Sequence, residues 1–180
     1  MTTTKTKKAG EYLVLRFEQM GLQMGHLTFD QRAAVLDAIK DTDDRDTTEA
    51  AILSTLPLDV RSNPATGKCL TEILALRQEY AAATDEARRD FDDFLCKFFR
   101  FQKHDKALDR FILPFRAALL LLYELDAETR DAARAWVAEG KPIEEAPEPM
   151  QPFLRANVQA MKAYKTLTPA ERAELKTYIE

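Results

Sequence analysis

His104 and Asp105 stand side by side in the run from Phe101 to Lys106. An imidazole next to a carboxylate can hold a divalent metal or relay a proton. The chain has only two histidines. A metal site would therefore draw on His26 upstream and on a later carboxylate such as Asp126 or Asp131. A local role competes with that chemistry. Asp105 can cap the helix that follows it, with His104 at the exposed end of the preceding one. Lys103 and Lys106 flank the pair and repel a bound cation, so the local role is the favoured expectation.

The His-Asp pair resembles the central motif of the HD phosphohydrolases, all-helical enzymes that bind a metal through His and Asp side chains. That resemblance implies a metal-dependent phosphohydrolase centred on His104 and Asp105, with His26 and Asp131 as further ligands. It covers two residues only. The family's pair follows an apolar stretch and precedes Gly-Lys, whereas here Gln102-Lys103 comes before it and Lys106-Ala107 after.

Other catalytic and cofactor signatures are incomplete. Thr66-Gly67-Lys68-Cys69 has the Gly-Lys of a phosphate loop. However, Ser62 stands at the first glycine position and Cys69 at the hydroxyl position. No Glu-x-x-His occurs for a di-iron bundle. No cofactor is expected.

The charges carry more information. Between Lys97 and Arg116 stand six basic residues, Lys97, Arg100, Lys103, Lys106, Arg110 and Arg116, against the two acids Asp105 and Asp109. Phenylalanines are interleaved with them. Such a segment can hold single-stranded nucleic acid by phosphate contact and stacking. The net charge of -4 speaks against that use. Phe98 and Phe101 continue a core stripe, and Phe99 lies off it. An exposed Phe99 beside Arg100 and Lys103 would form a contact surface for an acidic partner. Arg116 has Ile112, Leu113, Leu119 and Leu120 as helical neighbours, so it either snorkels or pairs with a carboxylate such as Asp92 or Asp93. Towards the front of the chain, Asp41, Asp43, Asp44, Asp46 and Glu49 surround Arg45 in an acidic loop suited to a basic partner.

The scaffold that must position these groups is helical. The 180 residues include 26 Ala and 22 Leu but only 5 Val, 6 Ile and 5 Gly. That choice suits helices and starves strands and tight hairpins. Phase and capping signals place the elements. Leu13, Phe17 and Met20 share one face of a helix that Gly21 and Gly25 should break. Thr28 and Gln31 form a capping box, and the helix after it should bury Phe29, Ala33, Leu36 and Ile39. Asp46 should cap a short helix ending before Pro57. Asn63-Pro64 starts a helix with the stripe Cys69, Ile73, Leu76, Tyr80 and Ala83. Thr84 opens another with Phe91, Phe94, Phe98 and Phe101 in register. Pro114 should kink or restart an apolar central helix. Asp126 opens the next helix, which Gly140 closes. Leu167-Thr168-Pro169-Ala170-Glu171 is the clearest start in the chain.

The expected fold class is all-α, a single globular bundle of about eight or nine helices crossing at uneven angles. Residues 1–10 read as a flexible basic tail and not as a signal peptide. Residues 11–180 read as one domain, with an extended Pro/Glu connector at 141–152 leading to two final helices. Both cysteines are expected as buried free thiols in a cytoplasmic protein. No run approaches the ~20 apolar residues of a membrane span. The expected function is a protein–protein interaction module, an adaptor or inhibitor. Homodimerisation is compatible with the sequence, and nucleic acid is a third and weaker reading.

Overall fold

A computed structural model describes residues 9–42, 44–101 and 104–178. Among them the chain forms ten α-helices and no strand, so the all-α expectation holds. No helix among these residues is long and apolar enough to cross a membrane. The chain organises into two compact units, one of Tyr12–Thr84 and one running from Asp85 onward.

In the first unit the helices are α1 (Ala9–Gly25), α2 (Phe29–Ile39), α3 (Arg45–Thr55), α4 (Leu58–Arg61) and α5 (Pro64–Ala82). Local chemistry sets most of the starts. Thr28 and Gln31 bond each other's backbone amides at the head of α2, and Asn63 accepts from the Ala65 amide at the head of α5. The core is Leu27, Val35, Ile39, Leu56, Val60, Cys69, Leu70 and Ile73. Burial pushes the Cys69 thiol up to about 11, which leaves it protonated and inert.

Gly21 does not break α1. The helix runs through it because Met20 and Met24 pack on the core on either side. That contact offsets the ~1 kcal/mol helix cost of a glycine. The cap of α3 is Asp44 rather than Asp46. Its carboxylate accepts from the Thr47 amide at 2.8 Å and is held below the usual carboxylate range by that bond.

The second unit holds α6 (Asp85–Phe98), α7 (Asp109–Tyr123), α8 (Ala127–Glu139), α9 (Gln151–Thr166) and α10 (Pro169–Thr177). Helix α7 touches α6, α8 and α9, and lies along α9. It continues through Pro114 to Tyr123. Phe94 is fully buried, and its ring meets Phe91, Phe98 and Tyr123 at 5.4–6.0 Å between centroids. Phe101 lies beyond the end of α6 and sets edges against Phe111, Phe115 and Tyr178, in a cluster closed by Leu108, Ile112, Leu167 and Leu175. Gly140 ends α8 in the left-handed region at φ 65°, which a residue without Cβ adopts at no steric cost.

Two expectations are corrected in this unit. Cys96 is exposed, because it falls two residues past Phe94 and so off the buried stripe. The connector at 141–152 is not extended. It folds as two 3-10 turns, Ile143–Glu145 and Glu148–Met150, with Ala146 and Met150 buried and the turns set against α8 and α9.

Candidate interaction surfaces

Helix α2 has apolar side chains on two sides. Val35 and Ile39 face the core, with Ala34 and Ala38 beside them. Phe29, Ala33 and Leu36, the residues expected to be buried, face outward. Phe29 is 80% exposed and Leu36 51%. Their spacing of four and three residues aligns them in one stripe. The chain supplies an internal comparison. The stretch Leu27-Thr28-x-x-Gln31-Arg32-Ala33 recurs as Leu167-Thr168-x-x-Glu171-Arg172-Ala173, and both copies are capping boxes. The inward positions agree, with Leu27 and Val35 buried like Leu167 and Leu175. Two of the three outward positions differ: Phe29 and Leu36 stand where α10 has Pro169 and Lys176, while alanine occupies both 33 and 173. The same capped helix is therefore built without an outer apolar stripe.

Directly after α2 comes the acidic segment. Asp43 lies outside the described residues. Asp44 and Asp46 are exposed at the head of α3, and Arg45 pairs with Glu49 at 2.7 Å. The segment hangs from a residue far along the chain. Arg77 of α5 donates to the Ile39 carbonyl at 2.8 Å and to the Thr42 hydroxyl at 3.0 Å. The fully buried Thr48 hydroxyl sits 3.0 Å from that of Thr42. Arg77 thus places a positive charge on the C-terminal carbonyls of α2 and anchors the turn into α3. Nothing in the sequence pattern marks this contact.

The basic segment is less positive than its composition. Lys97 bonds Asp93 at 2.6 Å and the Tyr123 hydroxyl at 2.8 Å, while Tyr123 donates to Asp93. The Arg130 guanidinium lies 4.6 Å from the Tyr123 ring centre and pairs with Asp90 at 2.7 Å, tying α8 to α6 and α7. Arg110 pairs with Glu171 at 2.5 Å. Lys103 lies outside the described residues. Arg100 and Lys106 are exposed, as is Phe99, whose ring sets an edge against Phe98.

Burial opposes the charge on Asp93, yet the bonds from Lys97 and Tyr123 outweigh it and hold the carboxyl below its usual range. A carboxyl lowered in the folded state adds stability above the unfolded range and loses it as pH falls through its folded value. Asp93→Asn is accordingly expected to flatten the fall of stability below about pH 4. Urea midpoints measured across pH check this, and parallel curves for the two proteins would refute it.

Arg116 does not pair with Asp92 or Asp93. Its Nε donates to the Phe98 carbonyl at 3.0 Å, and its guanidinium lies 5.1 Å from the Phe98 ring centre. The last carbonyls of a helix lack amide partners and attract a cation, which explains the choice. Burial works against its charge, and Asp109 offsets part of that. Arg116→Ala should cost about 1–2 kcal/mol in urea denaturation, rather than the roughly 3–5 kcal/mol of a broken buried ion pair.

His104 and Asp105 lie in the turn between α6 and α7. The Nδ1 of His104 meets the Phe101 carbonyl, and its Nε2 lies 2.5 Å from an Asp109 carboxylate oxygen. Both ring nitrogens are engaged by this turn. Asp105 accepts from the Ala107 amide at 2.8 Å as a cap. Asp131 is exposed and pairs with Arg134 at 3.1 Å, and His26 is exposed at the end of α1 in the first unit. Among the described residues no three His, Cys, Asp or Glu side chains are grouped to hold a metal.

Comparison with known protein families, curated proteins and solved structures finds no match.

Proposed function

We propose that this chain is a protein–protein interaction module, an adaptor or inhibitor, whose contact face is the outer side of α2 together with the acidic head of α3. One observation carries the reading: an aligned apolar stripe, Phe29, Ala33 and Leu36, stands in solvent on a helix that buries a different set of residues. An exposed helix that offers an aromatic and further apolar side chains at four- and three-residue spacing suits docking into a hydrophobic groove of a partner. The recurrence at α10 supports it, since the fold does not require those side chains. The rim supplies the partner's character. Lys40 pairs with Asp37 and Arg45 with Glu49, while Asp41, Asp44 and Asp46 form no salt bridge among the described residues, although Lys40 lies near Asp41 and Arg45 near Asp46. A matching surface offers an apolar recess ringed by lysine or arginine. Exposed Phe99 and Arg100 form a smaller second patch in the other unit.

Photo-cross-linking in the native host tests the reading. A benzophenone side chain placed at 29 or at 36 should capture the same protein, and one placed at 176 should not. Absence of a captured protein from 29 and 36, or equal capture from 176, would overturn it.

A further inference from the structure

The first unit also carries a groove of about 560 Å³ between α3 and α5, within the range of small-molecule sites. Along α5 its wall is Gly67, Leu70, Leu74 and Gln78, one helical face about 16 Å long at the ~1.5 Å rise per residue. Ile52 and Leu53 of α3 complete the apolar lining. One of its features leaves room for a ligand and another points to its charge. A Cβ built on Gly67 meets nothing within 4 Å, so the space above this part of α5 is open. Arg61 lines the groove beside Leu53. It donates from Nη1 to the Leu53 carbonyl at 2.8 Å and pairs with no carboxylate among the described residues.

We infer that this groove binds a single-chain amphiphile with an anionic head, an alkyl carboxylate. The chain lies over Leu70 and Leu74, and the carboxylate takes the free N–H groups of Arg61, whose planar fork matches its two oxygens. The rest of the polar lining leaves the charge of Arg61 unopposed: Glu49 is paired with Arg45, and Gln78 is neutral. Thr66 already donates to the Val60 carbonyl and Thr71 to the Gly67 carbonyl, and an alkyl chain over the leucines asks nothing of either.

The test titrates the full chain with dodecanoate and with dodecyltrimethylammonium, each below its micelle concentration, by calorimetry and methyl NMR. Dodecanoate should saturate one site and shift the methyls of Ile52, Leu53, Leu70 and Leu74. The cation should bind at least tenfold more weakly, and Arg61→Gln should weaken dodecanoate about tenfold, the value of one charge-assisted bond. Gly67→Leu should abolish binding with the fold intact, because leucine favours the helix and its Cβ meets nothing within 4 Å. Three results would overturn the inference: no saturable binding, equal binding of the cation, or undiminished binding in Gly67→Leu. Unsaturable dodecanoate, together with loss of the cross-linked protein in Gly67→Leu, would assign the groove to a partner's helix instead.

Discussion

Phe94→Ala is expected to lose about 3–5 kcal/mol of stability in the unit that begins at Asp85. The side chain is fully buried, and three aromatic rings surround it within 6.0 Å between centroids. Truncation removes the transfer free energy of the ring and leaves a cavity, since rigid neighbours collapse only partly. Tyr123 is one of those neighbours, and it also carries the bonds to Lys97 and Asp93. The loss should therefore loosen the polar knot between α6, α7 and α8 as well as the core. Phe94→Leu keeps much of the volume and should lose markedly less. Urea denaturation followed by near-UV circular dichroism reads both. Equal losses for the two variants would contradict this, because retained volume would then recover nothing and the whole cost would lie in the ring contacts.

The second large effect is expected at Arg77. Arg77→Met keeps the aliphatic stem and removes a guanidinium that bonds the Ile39 carbonyl and the Thr42 hydroxyl. A hydrogen bond to a charged group contributes about 1.5–3 kcal/mol, and the buried Thr42 and Thr48 hydroxyls would lose a donor. A loss of about 2–3 kcal/mol follows, with Arg77→Lys recovering part of it through one remaining donor. Because Arg77 sets the turn into α3, the amides from Ile39 to Thr48 should exchange faster with solvent in the variant. Unchanged exchange there would show that the acidic segment is held by other contacts.

These two residues also mark where sequence reading ends. Caps at Thr28, Asn63, Asp126 and Thr168 were readable because each cap and the amide that donates to it lie within three residues. The phenylalanine stripe of α6 was readable because its period is local. By contrast, Arg77 meets Ile39 and Thr42 across α5, and Lys97 meets Tyr123 from another helix, so no spacing rule marks either pair. The buried side of α2 was misread for a related reason. Ile39 fits an apolar stripe with Leu36 as well as one with Val35, and only the packing of α2 on the core of the first unit decides between them. The connector misled through its prolines. Their backbone angles suit extended chain, but burial of Ala146 and Met150 folds the segment into two turns. Among the site residues, Asp44 and Asp46 have the expected exposure, whereas Lys97 and Arg110 turned out to be neutralised by Asp93 and Glu171.

The outer stripe of α2 is claimed to serve a partner rather than the fold, and a paired measurement on one variant tests that most directly. Phe29→Gln with Leu36→Gln should unfold within about 0.5 kcal/mol of the parent chain, as exposed substitutions do. The same variant, carrying the photo-cross-linker at Ala33 instead, should no longer capture the protein that the parent captures from that position. A stability loss approaching that of Val35→Ala, or full capture by the double variant, would contradict the account.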